Sequence, residues 1–326
     1  MPENLQEQLV KYLTDVHSIE EQALTQMRRA PEIAGDDRLA GAFREHLVET
    51  EAHERRVRDR LAAHGAEPST VKDMAARAGG FGMVLFARSQ PDTPGKLTAH
   101  AFSYEHLELA AHELLGLAAD RAGDPETASV ARSIREEESA MAERLARSFD
   151  NAVAASLREV APGDLESQLE SYLSDAHAIE SQALQLLEQG PLMAREPGLE
   201  KAFRDHLEET RSHQAVVTAR LEAHGAKPSR FKNVLLRLGG VNMGTFFGAQ
   251  PDTPAKLAGF AFAFEHLELA SYELLRRVAE RAGDDETARV ATRIAGEERA
   301  AAAAIRSRLE PALDVTLGRN GVTATP

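Results

Sequence analysis

Residues 42–53 read AFREHLVETEAH, and the string returns at 202–213 as AFRDHLEETRSH. In the first string and its continuation, Phe43, His46, Thr50, His53, Val57 and Leu61 recur with the period of an α-helix. The pattern predicts an amphipathic helix from about Asp37 to His64 whose inward side carries two imidazoles. His46, Glu49 and His53 are spaced i, i+3, i+7, so they lie within about 60° of one another around the helix axis.

Three further segments share this character. One runs from about Leu5 to Arg29, with Leu9, Leu13, Glu20, Leu24 and Met27 in one stripe. Pro31 and the Gly35-Asp36-Asp37 string end it and cap the next. Another opens at Pro91-Asp92-Thr93-Pro94, with Thr93 as N-cap and Pro94 in the first helical position, and runs to about Ala122. Its stripe holds Leu97, Ala101, Tyr104, Glu108, Ala111 and Leu115, with Glu105 one turn before Glu108 on nearly the same side. The last runs from about Glu126 to Phe149, with Val130, Ile134, Glu137, Met141 and Leu145 expected inward. A short apolar helix over Ala152 to Val160 is expected to follow.

Between His64 and Pro91 the chain has no long helical pattern, only a possible short helix near Val71 to Ala78. That is long for a hairpin between helices. It suits a crossover along a bundle, which makes the second and third long helices parallel.

All of these signals recur 160 residues later. HGAEPS at His64 becomes HGAKPS at His224, QPDTPGKL at Gln90 becomes QPDTPAKL at Gln250, EHLELA at Glu105 becomes EHLELA at Glu265, and RAGDPETA at Arg121 becomes RAGDDETA at Arg281. The constant offset identifies a duplicated domain, with copies at 1–160 and 161–326 joined near Ala161-Pro162-Gly163-Asp164. The fold class expected is all-α: two tandem four-helix bundles, each with a long crossover between helices two and three and a short fifth helix.

Composition narrows the function. There is no Cys, which excludes disulfides and thiolate metal sites, and the start lacks a basic and apolar leader pattern; both favour the cytoplasm. No apolar run is long enough to span a bilayer, so no membrane role is expected. A net charge of −14 argues against binding nucleic acid.

The inward stripes are expected to carry Glu20, His46, Glu49, His53, Glu105, Glu108 and Glu137, and in the second copy Glu180, His206, Glu209, His213, Glu265, Glu268 and Glu297. Burying a charge costs several kcal/mol unless something pairs with it. Carboxylates from four helices with one or two imidazoles are the ligand inventory of a carboxylate-bridged two-metal site, and suit iron or manganese, about two ions per domain. The Glu-x-x-His spacing of such sites is missing: Ala52 follows Glu49 by three residues and Ala140 follows Glu137. The alternative is a non-catalytic bundle whose acidic core is satisfied by Arg and His without a metal. His17, His106 and His112 read as hydrogen-bonded core histidines; Tyr272 stands where His112 repeats, so no histidine is required there.

The Asp15-to-Glu20 string, AFREHLVET at Ala42, EHLELA at Glu105 and the string at Glu137 resemble the YciE/YciF-type family of bacterial ferritin-like proteins. The likeness covers nearly all of each half. It implies ferritin-like bundles paired as dimers, here as a pseudo-dimer within one chain. It further implies a two-metal centre with Glu20, Glu49, Glu108 and Glu137 as ligands near His46, His53 and Glu105, and a role in stress responses. If the chain is an enzyme, it is a di-metal oxidoreductase acting with oxygen, peroxide or ferrous iron.

Overall fold

The computed structural model describes residues 4–77, 93–227 and 253–319. It is all-helical among the described residues, in two similar halves, with the boundary between compact units falling between Ser156 and Leu157. No described helix is long and apolar enough to cross a membrane.

In the first unit the long helices are α1 (Leu5–Met27), α3 (Asp37–Ala63), α4 (Thr93–Ala122) and α5 (Pro125–Ser156), with a one-turn α2 (Ala30–Ile33) after α1. Local chemistry fixes their ends. Asn4 Oδ1 accepts from Glu7 N at 2.9 Å to open α1, and Asp36 accepts from Arg38 N and Leu39 N to open α3. Gly65 takes φ +67° just past α3, a left-handed stop that a side chain would resist.

α1 packs against α3 and α4, and α5 closes the ring against α3 and α4. Contacts give the directions. Gln6 near the start of α1 reaches the carbonyl of Ala122 at the end of α4, while Glu20 meets His112, so α1 and α4 are antiparallel. Arg60 of α3 binds Thr127 near the start of α5, and Glu45 binds Arg144 near its end, so that pair is antiparallel too. With α1 and α3 joined by a short turn, α3 and α4 run parallel across the diagonal, as the sequence predicts. The chain joining them is helical over 70–77, and the rest of the expected crossover, residues 78–92, lies outside the described residues.

The core is Leu9, Leu13, Phe43, Leu61, Leu115, Ile134, Met141 and Leu145, all fully buried. Fully burying such a side chain contributes about 1.5–3 kcal/mol. One expectation needs correcting: α5 runs unbroken to Ser156, so the first unit has no separate fifth helix.

The second unit repeats the plan with α6 (Leu165–Ala194), α7 (Pro197–Ala223), α8 (Thr253–Ala282) and α9 (Asp285–Arg306), followed by α10 (Leu309–Arg319), which belongs to this unit through Thr316. Here the fifth helix is separate. Pro311 stands where Asn151 continues α5, and a proline removes a backbone N–H and clashes with the carbonyl four residues back, at Ser307. The chain turns at Ser307 and Arg308 and restarts. In both units this C-terminal stretch docks on the third long helix: Gly95 N donates to Ser156 Oγ at 2.9 Å, and Ala255 N to Thr316 Oγ1 at 3.3 Å.

Candidate metal centre

Each long helix of the first unit places a carboxylate or an imidazole in the bundle interior. α1 supplies Glu20, α3 supplies His46 and His53, α4 supplies Glu105, Glu108 and His112, and α5 supplies Glu138. Glu20, His46, His53, Glu105, Glu108 and Glu138 have no solvent exposure.

They form two overlapping groups whose donor atoms lie within 4.8 Å of one another: Glu20, His53 and Glu138, and His46, Glu105 and Glu138. Glu138 belongs to both. Its Oε1 is 2.7 Å from His53 Nδ1, and its Oε2 is 3.3 Å from His46 Nε2. Glu105 Oε2 is also 3.3 Å from His46 Nε2, and Glu20 Oε2 is 3.9 Å from His53 Nδ1.

None of these approaches has hydrogen-bond geometry. His46 Nε2, His53 Nδ1, Glu20 Oε2 and both oxygens of Glu105, Glu108 and Glu138 are buried without a hydrogen-bond partner. The outward ring nitrogens explain why. His46 Nδ1 is 2.9 Å from Glu49, and His53 Nε2 is 2.9 Å from Glu137, carboxylates that can only accept while ionised. Each outward nitrogen therefore donates, and in the neutral ring the inward one keeps a bare lone pair. Lone pairs and carboxylate oxygens converging at 2.7–3.3 Å repel unless a metal cation lies between them or the rings take up a second proton.

With no ion between the donors, the electrostatics load protons onto the cluster, on rings and carboxyls alike. Burial, with the charges of Glu138, Glu20 and Glu105, holds the Glu108 carboxyl well above its usual range. Burial pushes Glu105 up to about 8, with the His46 charge opposing. For His53, burial works downward, but Glu138, Glu20 and Glu137 outweigh it and carry the ring up to about 9.

This placement corrects two expectations. Glu137 and Glu49 are not interior donors; their side chains are 36% and 37% exposed at the rim. Glu137 is held there by Arg56 Nη1 at 2.9 Å and Ser133 Oγ at 3.2 Å. Glu138, about 100° further round the helix, takes the interior position. His112 and Tyr104 also border the site: His112 Nε2 meets Glu20 Oε1 at 2.8 Å, and Tyr104 donates to the Ile19 carbonyl at 2.9 Å. His106 is a satisfied core histidine on the Phe102 carbonyl.

The second unit repeats the cluster. Glu180, His213 and Glu298 form one group, and His206, Glu265, Glu268 and Glu298 the other. Glu298 Oε1 is 2.9 Å from His213 Nδ1 and its Oε2 is 3.0 Å from His206 Nε2. Glu209 and Glu297, expected as interior groups, sit at the rim and face His206 Nδ1 at 2.9 Å and His213 Nε2 at 2.7 Å. Both Glu268 oxygens lack partners, and burial with the Glu298 charge raises this carboxyl well above the usual range.

A further group, His17, Glu21 and Glu54, is of a different kind. His17 is hydrogen-bonded to Glu54 at 3.0 Å and to Asp73 at 3.3 Å, and Glu21 is paired with Arg77. It ties residues 70–77 to α1 and α3.

Fold and site together define a duplicated helical protein with a buried carboxylate–imidazole centre in each unit that could hold metal. The chain belongs to the family described as Domain of unknown function (DUF892), whose model matches it twice, over residues 4–158 and 164–316. No curated protein and no solved structure matches it.

Proposed function

We propose that each unit is a ferritin-like bundle, of the YciE/YciF type that the sequence resembles, holding two metal ions of the iron or manganese class. The observation that carries this is the set of converging, unpartnered donor atoms around Glu138 and Glu298. Oxygen and imidazole donors without thiolate suit iron and manganese.

In the first unit Glu20, His53 and Glu138 would hold one ion, and His46, Glu105 and Glu138 the other, with Glu138 bridging. Glu108, free at both oxygens, is a ligand available to either. When bound, the pair of ions supplies one-electron steps toward oxygen, peroxide or ferrous iron. The protein's own part is orientation and shielding: Glu49 and Glu137 fix which ring nitrogen faces inward, and buried apolar side chains keep bulk water out. A stress-related oxidoreductase fits this chemistry.

In the metal-free alternative Arg and His satisfy the acidic core. Among the described residues no arginine pairs with Glu20, Glu105, Glu108 or Glu138, Arg56 stopping at Glu137 on the rim, so that alternative rests on protonated His46 and His53 beside Glu20, Glu105 and Glu138 and leaves both Glu108 oxygens without a partner.

Anaerobic titration with ferrous iron, followed by elemental analysis of the desalted protein, tests the proposal. Retention of two ions per unit is expected. A protein that retains none, whether loaded with iron or with manganese, would overturn it.

A further inference from the structure

Beside the interior centre of the first unit, α1, α3 and the helix over 70–77 bring together a second set of donors. His17 is 2% exposed, Glu54 and Asp73 are buried with it, and donor atoms of His17, Glu21 and Glu54 lie within 4.8 Å of one another. We propose that His17, Glu21 and Glu54 form a separate site for a divalent ion of the zinc class, present in the first unit only, with Asp73 orienting the ring. The site shares no donor with the interior centres and does not rest on them.

The placement of His17 carries the argument. Its Nδ1 lies 3.3 Å from Asp73 Oδ1, an oxygen that also accepts from Ser18 Oγ at 2.7 Å, and its Nε2 lies 3.0 Å from Glu54 Oε1. Carboxylates thus face the ring on both sides, and a neutral imidazole has one N–H to share between them. With that proton on Nδ1 toward Asp73, Nε2 turns a bare lone pair toward Glu54, with Glu21 alongside. A carboxylate behind a histidine, holding the ring so that its far nitrogen meets other donors, is the usual support of a metal-ligating imidazole. The spacing suits one ion, since donors bound to a tetrahedral zinc stand roughly 3.3 Å apart. Three protein donors leave the fourth position to water.

The second copy supplies the contrast. It keeps His177, but Ser181, Gln214 and Asn233 stand where Glu21, Glu54 and Asp73 repeat, so three carboxylates turn neutral together. The neighbouring acids Asp15 and Glu20 recur unchanged as Asp175 and Glu180. Ion pairing alone does not account for the set. Arg77 binds Glu21 at 2.8 Å, yet the arginine recurs as Arg237 where its acid has become Ser181. Arg77, and Arg58 on Glu54 at 3.0 Å, are both about half exposed, so each can turn to water as an ion enters.

Zinc titration of the full-length chain, read by calorimetry and elemental analysis, tests the site. The comparison is the triple variant Glu21→Ser, Glu54→Gln, Asp73→Asn, which copies the second unit's side chains; circular dichroism checks that it is folded. It should bind one zinc fewer per chain than the native protein, with iron loading unchanged. Asp73→Asn alone should keep the ion but bind it about 10–100-fold more weakly. Zinc-edge anomalous diffraction from zinc-soaked native crystals needs no variant and should show a peak within bonding distance of His17 and Glu54. Equal zinc content in the native chain and the folded triple variant, or a map without that peak, would overturn the inference and leave the interior metal reading untouched.

Discussion

Glu137 of the first unit is clamped by Arg56, which reaches over from α3; in the second unit Val216 takes that arginine's place, and Glu297 is held by Arg293 of its own helix, where the first unit has Ser133. The clamp survives although its source has moved. The same is true one layer in, where the donor to the α1-type glutamate changes from imidazole to phenol. Around the counterpart of His17 the side chains change: Ser181 and Gln214 stand in place of Glu21 and Glu54, and Gln214 donates to Ser181 at 2.9 Å. By contrast the inward donors themselves, two imidazoles and four carboxylates, are identical in both units. The comparison teaches that the two units share a requirement for those donors and for their orientation, and that outer groups can vary while serving it.

The largest effect should come from the residue common to both groups of a unit. Glu138→Ala removes a donor from both proposed positions, so iron content should fall by half while the second unit keeps its share; Glu298→Ala should do the converse, and the double variant should retain almost none. Elemental analysis reads this directly. Equal loss from both units in a single variant would break the independence that the comparison assumes.

A smaller effect is expected at the rim. Glu137→Ala frees the outward nitrogen of His53 and should weaken iron binding in the first unit by about 10–100-fold, the usual range for a group orienting a ligand. Arg56→Ala should act in the same direction more weakly, and Arg293→Ala should do so only in the second unit. Calorimetric titration of each variant would show whether the exchanged clamps are equivalent.

The acid side of stability should be common to both units. Asp124 receives Arg60, His64 and Thr127, and Asp284 receives Arg220, His224 and Thr287. Burial works to raise each carboxyl, but these hydrogen bonds outweigh it and hold both well below the usual range. A depressed folded-state value stabilises the fold above the unfolded carboxyl's pKa, about 3.9, and that stability is lost as pH falls below it. Acid titration followed by circular dichroism should therefore show both units losing stability below about pH 4. Asp124→Asn should weaken the effect in the first unit alone.

The smallest effect concerns one backbone position. Gly35 has φ +67° and its counterpart Arg195 has φ +53°. A side chain in the left-handed region costs about 1–2 kcal/mol, so Arg195→Gly should stabilise the second unit by roughly 1 kcal/mol in thermal unfolding. Gly35→Ala should do the reverse with added cost, because its Cβ would lie 2.7 Å from Pro94 Cγ.

The helical plan and the duplication were readable from periodicity, caps and the constant offset, because each of those signals is local. The identity of the interior donor on α5 was less so. Glu137 and Glu138 flank the line from Ile134 to Met141, and a stripe drawn through Val130 favours the former. Ala131 and Ala142, buried but small, shift the stripe toward Glu138. Giving alanines full weight would have found it. Glu49 misled for a related reason: it lies close to His46 around the helix, yet the bundle leaves it at the edge, where it can bind the ring's outer nitrogen. The role of His112 needed the third dimension. Its replacement by Tyr272 looked like evidence against function, whereas the structure shows that both side chains donate to the same carboxylate position. A short fifth helix was expected in each copy from the apolar pattern alone; it is separate in the second unit, and the continuity of α5 through Ala152 was not legible, since the Ser148-to-Asn151 stretch suits either a turn or a helix.

Anomalous X-ray diffraction at the iron edge from iron-loaded crystals addresses the central claim most directly. The account predicts two peaks in each unit, one between Glu20, His53 and Glu138 with its partner between His46, Glu105 and Glu138, and the same pair around Glu298. Bundle interiors without an anomalous peak, their glutamates and histidines hydrogen-bonded only to one another, would contradict it.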